Sequence, residues 1–192
     1  MHYAFAGNIA SGKSACAQLL SERLDLPLVQ ERVTDHPFLA RFYSDPKQWA
    51  FHLQMFNIGD RSQAILASHR RGDFVVDRSF EEDVVYVQSA RSNGVVTAEE
   101  FGIYQRLFEV ALLVVPPPKM MFYLRADDVS ILVERIRDRS REVESGINSE
   151  YLLDLQAKYD TWFDLYPEPK HLIDVSHGSP AAHADVVMNL LR

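Results

Sequence analysis

Residues Gly7-Asn8-Ile9-Ala10-Ser11-Gly12-Lys13-Ser14 fit the pattern G-x-x-x-x-G-K-[ST]. The pattern constrains the fold as much as the chemistry, because it works only where a strand ends and a helix begins. The glycines let the backbone curl until successive N–H groups face phosphate oxygens, and the positive end of the next helix adds to them. Both flanks are present: His2–Ala6 is a short apolar run, and Lys13–Leu24 has helical periodicity through Ala17, Leu20 and Leu24. The alternative is a glycine turn that binds nothing, and its placement argues against that. Lys13 would reach the β- and γ-phosphates, and the Ser14 hydroxyl would hold Mg2+. Cys16, inside the helix, reads as a small packing residue.

Strand and helix patterns alternate onward from there, the signature of α/β with a parallel sheet. Leu28–Gln30, Phe74–Val76, Met120–Leu124 and Leu172–Val175 complete five predicted strands. Asp45-Pro46 is a cap with proline at the first helical position, opening a long helix to about Arg71. Phe80–Arg91 reads as one helix. Thr97-Ala98-Glu99-Glu100 is a capping box for a helix ending before Pro116. Asp128–Arg139, Ser149–Leu165 and a segment from Ser179-Pro180 follow. No repeat, linker or composition break divides residues 1–192, which read as one domain.

Composition narrows the function. Lys+Arg is 20 and Asp+Glu is 27, so the net charge is 20 − 27 = −7. That balance argues against a broad basic face for a nucleic-acid polymer. The longest strictly apolar run, Val110–Val115, is far short of the ~20 residues that span a bilayer. The first residues do not look like a signal peptide, and one cysteine excludes an intrachain disulfide. A cytoplasmic protein is expected. The 7 His show no metal-ligand spacing, so no zinc site is expected.

A phosphate loop says that a nucleoside triphosphate binds, without naming the acceptor. The guanine-reading Asn-Lys-x-Asp of a GTPase is absent. Glu31 follows the second predicted strand and Asp77 the third. Ligands of open parallel sheets bind beyond those ends. Either acid alone reads equally as a solvated strand-end carboxylate. As a pair beside the loop, Glu31 suits a general base and Asp77 the Mg2+ side. Arg78 suits a phosphate or hydroxyl contact, against a structural ion pair. Arg135, Arg137, Arg139 and Arg141 form a dense cationic cluster in an acidic chain. A triphosphate is one partner for it, and a solvated charged helix is the alternative. The lid is expected at about 135–148.

These motifs, in this order and spacing, resemble the deoxynucleoside kinase family, in its deoxycytidine/deoxyguanosine/deoxyadenosine kinase branch. Gly7–Ser14 matches the family's G-N-I-x-S-G-K-S. Glu31-Arg32-Val33 stands where the family has E-P-V, with arginine in place of proline. Asp77-Arg78-Ser79 resembles its D-R-S, and Arg135-x-x-x-Arg139-x-Arg141 followed by Glu144-Ser145-Gly146 resembles its lid. The resemblance implies a P-loop kinase fold with an arginine-rich lid, ATP as donor, Mg2+, and a homodimer. It puts Tyr43 and Glu144 on the sugar 3′-hydroxyl, Gln54 on the base edge, and Arg61 with Asp83 beside the base. Lys13, Arg78, Arg139 and Arg141 would stabilise transferring charge, with Arg135 on the nucleotide.

The expected acceptor is a purine deoxynucleoside, with deoxycytidine a second candidate and thymidine poor. Arg61 offers a fork of donors for a purine N7, whereas thymine would set a methyl group against two charges. Two rivals share the fold: a nucleoside monophosphate kinase, and a non-catalytic relative serving as a structural subunit. The second predicts decay of Lys13, Ser14, Glu31 or Asp77, and all are present.

Overall fold

The inner strands carry two sets of alternating side chains, and each set belongs to a different core. The computed structural model describes residues 1–33, 35–140 and 146–192. The strands are β1 His2–Gly7, β2 Leu28–Val29, β3 Phe74–Asp77, β4 Met120–Arg125 and β5 Lys170–Asp174. They form one sheet in the order β2-β3-β1-β4-β5, with parallel pairing throughout. Ala4, Ala6, Phe74, Val76 and Met121 face one layer of helices. Phe5, Val75, Phe122 and Leu124, out of phase by one residue, face the other. Burial on both faces explains why these strands read as continuous apolar runs.

The first layer contains α3 (Pro46–His69), α4 (Asp83–Ser92) and α5 (Ala98–Val114), which bring Ile58, Ile65, Val87 and Tyr104 to the sheet. The second contains α1 (Lys13–Leu24), α6 (Val129–Arg139) and α8 (Pro180–Leu190), bringing Ala17, Leu20, Leu132 and Val187. Helix α7 (Ser149–Leu165) closes the end of the sheet with Leu155, Tyr159 and Phe163 around Tyr123.

The caps form as expected. The Asp45 side chain accepts from the Gln48 amide, and Thr97 and Glu100 close a reciprocal capping box. The sequence reading needs correction in two places. A short helix, α2 (Leu39–Ser44), precedes α3 and was not anticipated; it buries no residue completely and so shows little apolar periodicity. The helix expected over Phe80–Arg91 opens as a 3-10 turn, Phe80–Glu82, before α4 begins at Asp83. That tighter turn sends Glu81, Glu82 and Asp83 all into the interior.

Candidate active site

Three strand ends feed one cleft. Gly7 ends β1, Glu31 follows β2 and Asp77 ends β3. The crossover from β1 leaves toward β2, and the one from β3 leaves toward β4. This is the switch point where parallel sheets bind ligands. The cleft has a volume of about 960 Å³ and is lined by Lys13, Ser14, Glu31, Gln54, Arg61 and Asp83, among others.

The phosphate loop is built as its spacing requires. Gly7, Ala10 and Gly12 take φ of 146°, 62° and 95°. At Gly7 a Cβ would lie 2.5 Å from the Leu124 carbonyl oxygen and 2.8 Å from the Ser11 hydroxyl, so space as well as backbone angle demands glycine. Gly12, the N-cap of α1, brings no side chain, leaving the first-turn amides to an anion. The Lys13 ammonium donates to the carbonyls of Gly7 and Asn8 at 2.9 and 2.8 Å. Burial pulls its pKa down to about 8; Arg78 adds to that, against Glu82, Glu31 and Asp77. Ser14 is exposed to the cleft and hydrogen-bonds Asp77. Burial raises the Asp77 carboxyl above its ordinary range, opposed by the Ser14 bond. Asp77 Oδ1 has no hydrogen-bond partner among the described residues.

Glu31 sits between two guanidinium groups. Its Oε1 lies 2.9 Å from Nε of Arg78 and 2.9 Å from Nη2 of Arg61. Desolvation would raise its pKa, but Arg78, Arg61 and Lys13 outweigh this and hold it at about 2. The carboxylate is therefore ionised at neutral pH and ready to accept a hydrogen bond from a hydroxyl. Arg78 is buried with φ of 75°, a left-handed backbone that a non-glycine residue holds only when its surroundings fix it. Burial disfavours its charge, but Glu31 and Glu82 more than restore it.

Arg61 also pairs with Asp83 through Nη1. Gln54, two turns earlier on α3, is buried and lines the same end. Gln54 Oε1 and Asp83 Oδ2 are buried acceptors without a partner among the described residues. Tyr43 reaches the cleft from α2.

The arginine cluster is divided. Arg135 and Arg139, four apart on α6, line the cleft, and Arg135 donates 2.7 Å to the Val175 carbonyl. Arg137 is exposed and does not line it. Arg141 and Glu144 lie outside the described residues. Sequence reasoning missed Glu82, Tyr86, Tyr151 and Tyr159. Tyr86 and Tyr151 line the cleft, and Glu82 and Tyr159 lie behind it. Only the i,i+4 spacing of Arg78 and Glu82 hinted at any of them.

The family model for deoxynucleoside kinase matches residues 4–190, nearly the whole chain. The chain belongs to the deoxynucleoside kinase family. It is 31% identical over 161 residues to the deoxyadenosine/deoxycytidine kinase of Bacillus subtilis, covering 82% of this chain and 74% of that protein. It is 32% identical over 178 residues to the deoxyguanosine kinase of Lactobacillus johnsonii, covering 88% and 80%. A solved structure of deoxyadenosine kinase from M. mycoides with dCMP and dCDP bound superposes with a TM-score of 0.90 at 23% identity, covering 100% of this chain and 98% of that one. These deoxynucleoside kinases share the P-loop kinase fold described above, and the expected α/β architecture stands.

Proposed function

We propose that this deoxynucleoside kinase transfers the γ-phosphoryl group of ATP to the 5′-hydroxyl of a purine deoxynucleoside, deoxyadenosine or deoxyguanosine, with deoxycytidine a second acceptor. The observation that carries the reading is Glu31, ionised and held between Arg78 and Arg61 in the cleft of the phosphate loop. In this reading Glu31 accepts a hydrogen bond from the 5′-hydroxyl and then its proton. With a carboxylate this weakly basic, orientation matters more than early proton removal, as a loose transition state allows. The amides of Gly7–Ser14 cradle the donor phosphates, with Ile9, Ala10 and Ser11 in the loop. Lys13, Arg78 and Arg139 meet the charge on the transferring group, and Arg141 is assigned with them. Arg135 contacts the donor nucleotide. Tyr43 and Glu144 are assigned to the sugar 3′-hydroxyl.

Asp77 and Ser14 suit Mg2+. A single carboxylate with an unpaired buried oxygen, beside a hydroxyl that faces the phosphate site, is the sparse protein set that Mg2+ takes when phosphates and waters complete its shell. When bound, the ion would neutralise charge on the β- and γ-phosphate oxygens.

A nucleoside acceptor is favoured over a monophosphate. Among the described residues at the acceptor end, Arg61 and Arg78 are already engaged by Glu31 and Asp83, and Arg32 by Asp35 and Asp60. Binding an acceptor phosphate there would require breaking those pairs. Gln54 and Asp83 leave acceptor atoms for a base edge with exocyclic amino hydrogens, which thymine lacks.

The protein works as a cytoplasmic homodimer in this reading, with residues 1–192 as one kinase domain. Among the described residues no helix is long and apolar enough to cross a membrane. Helix α5 supports pairing: Ile103, Leu107, Val110 and Val114 are 48%, 44%, 55% and 58% exposed and recur along one face. Helix α3, the other long helix, has no large hydrophobic residue so exposed. Sedimentation of wild type above the 22.0 kDa monomer mass, with Leu107→Asp reverting to monomer, is expected. The reaction is tested by ATP-dependent phosphorylation of the four deoxynucleosides and their monophosphates. Monophosphates as the better acceptors would overturn it.

A further inference from the structure

Glu82 is fully buried, and the reaction above assigns it nothing. Its Oε2 accepts from the Gly7 amide at 3.0 Å and from the Tyr159 hydroxyl at 2.6 Å. Its Oε1 lies 3.5 Å from Nη1 of Arg78. The same Arg78 nitrogen donates to the hydroxyls of Tyr86 at 2.8 Å and Tyr159 at 3.1 Å. Tyr159 therefore donates to Glu82 and accepts from Arg78, which closes a ring of three side chains.

The ring spans the reaction. Gly7 is the first residue of the phosphate loop, on the donor side. Arg78 pairs with Glu31, on the acceptor side. The two lie at the ends of neighbouring strands, paired in parallel from His2–Phe74 to Phe5–Asp77, and the last backbone bond of that pairing runs from the Arg78 amide to the Phe5 carbonyl at 3.2 Å. A buried carboxylate is costly unless donors or a countercharge surround it. Glu82 Oε2 has two neutral donors, while Oε1 has no hydrogen-bond partner among the described residues and faces only the Arg78 charge. An apolar residue would fill the same space without that cost, so packing alone does not explain an acid here.

We propose that Glu82 is a positioning residue for phosphoryl transfer. It holds the first amide of the phosphate loop and the Arg78 guanidinium in one fixed relation, with Tyr159 as the third member. Donor phosphate and acceptor hydroxyl then meet in line. Where catalysis is mostly alignment and charge, a misplacement of either half lowers turnover more than it lowers binding. The inference rests on the reaction proposed above and deepens it.

The test compares wild type with Glu82→Gln, Glu82→Ala and Tyr159→Phe, measuring kcat, both KM values and melting temperature, with rates referred to folded protein. Glu82→Gln keeps the volume and an oxygen for the Gly7 amide but loses the charge facing Arg78. It is expected to lower kcat about ten- to a hundredfold, with KM for the deoxynucleoside within about threefold of wild type. Glu82→Ala should lose more, so that glutamine gives partial rescue. Tyr159→Phe should lower kcat in the same direction. It removes one oxygen from the interior, so it keeps the question open to experiment if Glu82→Ala does not fold. Folded variants turning over at the wild-type rate, with only the melting temperature reduced, would make Glu82 a structural acid and overturn the proposal. A wild type that phosphorylates no deoxynucleoside would instead sink the reaction assignment.

Discussion

The side-chain amide of Asn8 donates 2.9 Å to the backbone carbonyl of Leu152, tying the phosphate loop to the helix that follows the lid region. Its second contact is Gln156 Oε1 at 3.3 Å, while Asn8 Oδ1 accepts from the Ile9 amide at 2.8 Å. Asn8 is fully buried, so these partners have no water to fall back on. Asn8→Ala should cost about 1–3 kcal/mol of stability through the groups left unpaired. It should also raise KM for ATP, since Ile9 loses its anchor. Thermal unfolding and ATP kinetics check both. An unchanged melting temperature would show that the loop does not depend on α7.

Lys13 predicts a pH dependence with a definite sign. Burial, reinforced by Arg78, lowers its pKa to about 8. Below that pH the ammonium is present before ATP arrives. Above it, up to the ordinary lysine range, the free enzyme has lost the proton and ATP binding must take one up. KM for ATP should be flat at neutral pH and climb above about pH 8, approaching tenfold per pH unit, because one proton is linked to binding. Measuring KM from pH 6.5 to 9.5 tests this, and a flat profile would remove Lys13 from the titration.

Glu31→Gln should preserve deoxynucleoside binding and lower kcat by about 10²–10⁴-fold, the range of a general base. Because Glu31 is held at about 2, no acid limb from it should appear in kcat/KM between pH 5 and 7. Its ionised form, with the two ion pairs, persists down to that low pKa. Activity within a few-fold of wild type would dismiss Glu31 as the base.

Replacing Arg61 by Met together with Asp83 by Ala should raise kcat/KM for thymidine and lower it for purine deoxynucleosides. The Asp83 side chain is 1% exposed and pairs with Arg61. Asp83→Ala alone should be worse than the double variant for every acceptor, because it strips Arg61 of one of its two acids. The measurement is kcat/KM for the four deoxynucleosides. Thymidine as the best wild-type acceptor would overturn the base assignment.

The elements that were legible carry strong local signals: apolar strands, the Asp45-Pro46 and Thr97 caps, the glycine loop. Helix α2 was not, because six residues with no fully buried side chain leave almost no periodicity. In the site, motif residues were legible because chemistry fixes their type at a strand end. Glu82 was hidden for a physical reason. Phe80-Glu81-Glu82-Asp83 reads as acids at a helix start, where solvated carboxylates are favourable. Only the 3-10 turn and the tertiary placement of Gly7 and Tyr159 turn them inward. Likewise, nothing in the order of residues indicated that Arg61 would engage Glu31 as well as Asp83.

The obstacle beside Gly7 is the carbonyl oxygen of Leu124, part of the main chain of β4. A crowding side chain can be shaved by a second mutation; a peptide oxygen cannot. In a library that varies this scaffold to accept new nucleosides, Gln54, Arg61 and Asp83 are free to drift together. Position 7 has no compensating partner, so surviving clones should return glycine there whatever acceptor they were selected for.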